Sequence, residues 1–155
     1  MRNFIARLVI CTSITAIGMY AAASNVGTWK FNAAKSTTTG TNPIVSRTDV
    51  REETPDGGAK ITRTEVLKDG TTHNFSYTFK YDGMEYPVTG AAYDRSATKR
   101  IDANTTSFEV RNTTNELHVK GQIVISKDGK TLTQTVTGTD AVGKPTTSTN
   151  VFDKQ

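Results

Sequence analysis

At 155 residues with a formal net charge of +4, the chain is about one domain long and carries too small a basic excess to be drawn to nucleic acid by charge alone. One cysteine excludes a disulfide framework, and two histidines, His73 and His118, leave little from which to build a metal centre.

The first 23 residues, MRNFIARLVICTSITAIGMYAAA, read as a secretory leader: Arg2 and Arg7 come first, then an uncharged run from Leu8, then the small residues Ala21, Ala22 and Ala23 before Ser24. Thr12, Ser13, Thr15 and Gly18 interrupt the run, which argues against a retained anchor and leaves no integral membrane segment after cleavage. Cleavage after Ala23 leaves a single β domain, 24–155, with 17 basic against 15 acidic residues. Cys11 lies inside the leader, so the exported form has neither a disulfide nor a thiol nucleophile. The expected location is the periplasm or the exterior, and the expected state a monomer.

From residue 24 onward the chain alternates in the two-residue period of strands with one buried face, and no segment sustains a helical period. Strands are expected near 26–32, 44–54, 59–67, 72–81, 84–88, 97–101, 105–111, 116–126, 130–139 and 146–153. His73, Phe75, Tyr77, Phe79 and Tyr81 share one face; Leu117, Val119, Gly121, Ile123 and Ile125 share another. The breaks between strands carry turn chemistry, among them Pro55-Asp56-Gly57-Gly58, Asp69-Gly70, Asp82-Gly83, Asp128-Gly129 and Gly143-Lys144-Pro145. Successive hairpins with short connections predict an all-β, up-and-down antiparallel barrel of about eight to ten strands, because closure removes the exposed edges of so long a meander. A two-sheet sandwich is the alternative. Three leucines (Leu67, Leu117, Leu132) and five isoleucines after residue 23 are little bulk for a dry sandwich core and suit a partly open barrel better.

Gly27-Thr28-Trp29-Lys30, which holds the only tryptophan, resembles the Gly-x-Trp start of the calycins, the lipocalins and fatty-acid-binding proteins. The resemblance implies a lipocalin-like barrel in which Gly27 and Trp29 form the closed floor. Thr149-Asn150-Val151-Phe152-Asp153-Lys154 looks like the last strand of fatty-acid-binding proteins. Where that strand has Arg and Tyr to hold a carboxylate, this chain has Asn150 and Phe152, and the segment 32–43 is too short and too rich in Thr and Gly for that family's two-helix lid. The chain is also similar to short exported bacterial proteins of unassigned function with GTWK-N-x-x-K-S early and KDGKT…TGT…GKP late.

Catalytic and metal motifs are weak. Gly138 to Lys144 has P-loop spacing, but Pro145 replaces the magnesium-binding hydroxyl and a strand follows where a helix should begin, so it reads as a hairpin connection. No local motif gives a Ser or Thr a base and an orienting acid, and no metal, cofactor or enzymatic activity is expected. The candidate ligand site is the aromatic stripe Phe75, Tyr77, Phe79 together with Arg63 and Glu65. Arg63 and Glu65 share parity with Ile61 and Leu67; in the other register Thr62, Thr64 and Val66 turn inward and both charges face water. With Arg63 inward, Glu65 would restrain its guanidinium, which would receive the polar or anionic head of the ligand.

The expectation is an exported protein that binds a small amphipathic molecule; the alternative is a structural or interaction protein of the envelope with a closed, empty-handed barrel. An intact-mass measurement on the exported protein is expected to show a chain beginning at Ser24; retention of residues 1–23, or a lipid on Cys11, would refute the leader assignment.

Overall fold

A computed structural model of the chain describes residues 24–155, so the leader and Cys11 lie outside the described residues. Eleven strands follow in order: β1 (Gly27–Phe31), β2 (Thr37–Thr38), β3 (Ile44–Glu53), β4 (Ala59–Leu67), β5 (Thr72–Phe79), β6 (Asp82–Pro87), β7 (Arg95–Arg100), β8 (Thr105–Arg111), β9 (His118–Ile125), β10 (Thr131–Thr139) and β11 (Pro145–Lys154). They form one antiparallel sheet ordered β5-β4-β3-β1-β11-β10-β9-β8-β7-β6, with the short β2 paired to β11. The first and last long strands meet, Trp29 opposite Lys154, and the sheet curls into a nearly closed up-and-down barrel. No ladder joins β5 to β6; Tyr81 and Tyr86 pack there against the cluster of Ala59, Ile61 and Phe79, and Tyr93 lies edge-on to Phe75 and Tyr77. Side chains rather than backbone hydrogen bonds close that seam.

Each strand predicted from alternation is present, the short β2 is additional, and one predicted turn differs from expectation. Asp82-Gly83 is not a hairpin turn but part of a bulge at the start of β6: Asp82 faces Lys99 and Glu85 faces Ala97, so β6 takes one residue more than β7. Gly83 supplies the positive φ of 80° and the Asp82 carboxylate accepts from the Met84 N–H. Segment 32–43 holds one 3₁₀ turn, Ala33–Lys35, capped by the Asn32 side chain, followed by β2, and has no helical lid. The Gly138–Lys144 segment is the β10–β11 hairpin connection, with the Asp140 N–H donating to the Lys144 carbonyl. Gly138 itself permits close strand approach, since a Cβ there would fall 2.1 Å from the His118 carbonyl oxygen.

Because the strands alternate direction, the β3–β4, β5–β6, β7–β8 and β9–β10 connections gather at one end with the start of β1. That end is plugged. Trp29 is fully buried among Ile123, Ile125, Leu132 and Phe152, with Phe31 edge-on to Phe152 at 5.6 Å between ring centroids. Gly27, at φ 123°, lets the chain enter β1 from beneath, and the Trp29 indole N–H donates to the Asn25 carbonyl at 2.8 Å. Asn25 in turn donates to the Tyr81 hydroxyl at 2.7 Å, which ties the first residues before β1 to the seam.

Trp29→Ala is expected to destabilise the protein by about 3–5 kcal/mol through lost transfer energy and the cavity left behind. Chemical denaturation followed by circular dichroism checks this; an unchanged midpoint would show that Trp29 is not part of the core. The parent's tryptophan emission should be blue-shifted when folded.

Candidate ligand-binding site

The site grows out of the β3–β4 hairpin. Its turn, Thr54 to Gly58, fixes Glu53 opposite Ala59, and the antiparallel count then sets Arg51 opposite Ile61, Asp49 opposite Arg63 and Arg47 opposite Glu65. Alternation turns Arg47, Asp49, Arg51, Ile61, Arg63 and Glu65 inward while Val50, Lys60, Thr62 and Thr64 stay exposed. One wall of the barrel therefore carries three arginines and two acids on adjacent strands.

Asp49, 1% exposed, is the hub. Arg47 grips it with Nε at 2.9 Å and Nη2 at 2.7 Å, and Arg63 grips it with Nε at 2.8 Å and Nη2 at 3.0 Å. Two guanidinium forks fill the roughly four acceptor positions of a carboxylate. Arg51 reaches the same oxygen only with Nη2 at 3.4 Å, and its buried Nε has no partner. Glu65 lies 3.9 Å from Arg47 Nη1 and 3.3 Å from His73 Nδ1, so it does not restrain Arg63. The partner of Arg63 is Asp49, and its Nη1 also donates to the Tyr93 hydroxyl at 3.2 Å.

Further contacts anchor the cluster to the rest of the barrel. Arg47 Nη1 donates to Gln134 Oε1 on β10 at 3.3 Å, and the Arg47 guanidinium lies 4.9 Å from the Phe152 ring centroid. Arg63 sits 5.6 Å over Phe75. Burial opposes the charge of Arg47, but Asp49 and Glu65 outweigh it and the guanidinium titrates above its ordinary value. Burial pushes the Tyr77 and Tyr93 hydroxyls up as well, Tyr93 the further of the two, so both remain protonated at neutral pH.

Above this wall the interior is hollow. A cavity of about 370 Å³ runs from Arg51, Tyr77 and Phe79 up to Ile44, Pro43 and Leu67 near the unplugged end. Phe108, Val110, Val119 and Val136 line its far side, and Ser96, Thr98, Thr106 and Asn150 add buried polar groups. Of the residues singled out in the sequence, Arg63, Glu65, Tyr77 and Phe79 line this cavity. Phe75 does not; its ring packs behind them, stacked with Tyr77 and edge-on to Tyr93. Gly27 and Trp29 belong to the plug below. Arg47, Asp49 and Arg51 escaped sequence reasoning, although the hairpin count from the Thr54–Gly58 turn pairs acid with arginine at 49/63 and 47/65. His73 meets Glu65 and His118 meets Glu109, and among the described residues no three ligating side chains come together to hold a metal ion.

No protein-family model matches the sequence, and no curated protein is detectably similar to it. Solved structures are. Wild-type fluorescent protein UnaG is similar with a TM-score of 0.56 and 12% identity, covering 84% of this chain and 97% of its own. A Schistosoma mansoni fatty-acid-binding protein in complex with arachidonic acid has a TM-score of 0.55 and 15% identity, covering 87% of this chain and 98% of its own. The redesigned β-barrel mFAP1, bound to DFHBI, has a TM-score of 0.52 and 13% identity, covering 87% and 99%. Together with the strand order, these likenesses make the fold calycin-like.

Asp49→Asn leaves three buried guanidiniums around a neutral amide and is expected to cost about 3–5 kcal/mol of stability, the usual consequence of breaking a buried ion-pair network on one side. Urea unfolding measures it. A loss below about 1 kcal/mol would mean that the arginines are solvated by water and do not depend on Asp49.

Proposed function

We propose that the protein is an exported binding barrel that holds one small amphipathic molecule in its interior and performs no chemistry on it. The observation that carries this reading is the hollow interior. A cavity of about 370 Å³, with aromatic and aliphatic walls and a few convergent polar groups, has the size and make-up of small-molecule sites, whereas a barrel serving only as a scaffold would be filled by its own side chains. The Schistosoma protein and mFAP1, each with a small molecule bound, support it by likeness of fold. Export to the periplasm or beyond rests on the composition of residues 1–23. Among the described residues, the cavity lining offers hydrogen-bond donors and ring faces and no hydroxyl bonded to a histidine or a carboxylate, which favours binding over catalysis.

Native mass spectrometry of the protein purified from its own host is expected to show a co-purified small molecule that dissociates on activation. Adding the released compound back at about a hundred times its Kd should raise unfolding stability by about 2.7 kcal/mol. A uniformly ligand-free protein whose stability no extract of the host changes would favour the alternative of an envelope protein that acts through its outer face.

A further inference from the structure

Five ionisable side chains of β3 and β4 face one another inside the barrel, and they do not balance. Arg47, Arg51 and Arg63 carry three positive charges; Asp49 and Glu65 carry two negative ones; His73, at the edge of the group, contacts only Glu65 among them. The surplus is localised by geometry. Arg47 and Arg63 hold both oxygens of Asp49 as forks, and Glu65 reaches Arg47 but has no contact with Arg51. Arg51 is left with one long contact to an oxygen already shared, an Nε without a partner, and a side chain only 5% exposed. A buried cation that shares its one counter-charge with two closer arginines, and whose Nε has no acceptor, is costly to bury, so such a group calls for a further partner from outside the chain.

We propose that Arg51 is the seat for a single anionic group of the bound molecule, which lies head-down with its charge at the deep end of the cavity and its apolar body towards the unplugged end; this rests on the reading that the barrel binds a small molecule. Depth follows from the hairpin: Arg51 is two residues from Glu53, the last residue of β3 before the turn, whereas Ile44 and Leu67 lie at the opposite ends of the same two strands. Arg51, Ile61 and Tyr77 stand in one row across β3, β4 and β5, so the guanidinium is flanked by an aliphatic chain and then a protonated phenol. Ser96 and Thr98 on β7 bring further buried hydroxyls to the cavity lining. The mouth, with Ile44, Leu67, Leu117 and Val136, brings no basic side chain to the cavity lining and adds the acid Asp140, so it does not favour an anion. One surplus cation matches one negative charge, which selects a carboxylate or another monoanion over a dianion, and the planar donor fork of arginine fits a carboxylate edge.

The test compares anthracene-2-carboxylate with its uncharged amide, each titrated against the parent and followed by the fluorescence anisotropy of the ring system. The carboxylate is expected to bind the parent at least about tenfold more tightly than the amide, the usual worth of a charge-assisted hydrogen bond. That preference should vanish in Arg51→Met and survive in part in Arg51→Lys, while amide affinity stays within about threefold in all three proteins. Arg51→Met should unfold at a denaturant concentration no lower than the parent, because it removes an unneutralised buried cation. Equal binding of acid and amide by the parent, or a preference that persists in Arg51→Met, overturns the assignment of Arg51 and leaves the binding barrel intact. Binding of neither compound counts against the barrel reading itself.

Discussion

A carboxylate has room for two guanidinium forks, and in this protein one carboxylate faces three guanidiniums. That limit at Asp49 organises the β3–β4 wall. Arg47 and Arg63 are held in fixed rotamers by the forks, and each extends a remaining nitrogen to a neutral acceptor, Gln134 on β10 and Tyr93 in the β6–β7 connection. The hub thereby links strands that are not neighbours in the sheet. The guanidinium planes also lie against the Phe152 and Phe75 rings, so charge is buried on aromatic faces as well as beside acids.

The polar wall also explains how a chain with so few large aliphatics keeps a folded barrel. The hydrophobic mass is concentrated at one end, around Trp29, Leu132 and Phe152, and in the small Ala59, Ile61, Phe79 group beside the seam. Between them the ion pairs of β3 and β4 hold one wall of the interior, and Phe108, Val110, Val119 and Val136 form the facing one. Filling the middle with leucine would make a more stable and less useful barrel. Asn150 and Phe152 fit this division: the first lines the cavity next to Ser148, and the second joins the plug beneath it.

Much of this was legible in the sequence, and the exceptions share a cause. Alternation located the ten long strands, and Gly27-x-Trp29 marked the plugged end because a lone tryptophan after a positive-φ glycine has a specific steric role there. The charged face of β3 was not legible from alternation, since Val45 and Val50 point out, 50% and 37% exposed, while arginine and aspartate point in. A rule that sends aliphatics inward selects the wrong face when the charges are paired with one another. The β2 strand is two residues long and cannot show a period. Asp82-Gly83 suits a bulge as well as a turn, because both use the same left-handed glycine.

The seam between β5 and β6 has a consequence for how the chain folds. The sheet order runs from β6 through β11 to β1 and on to β5, so a chain that began at β6 and ended at β5 would lay down its long strands in sequence, each beside the last. In the observed connectivity the first and last long strands pair instead, Trp29 opposite Lys154, so β1 and β11 must meet before the ring exists. Loop closure across nearly the whole domain is the slowest kind of contact to form. This connectivity gives the β1–β11 junction that seats Trp29 the longest sequence separation of the long-strand pairings, while β3 to β5 and β6 to β11 each pair with their neighbours in sequence as two local meanders.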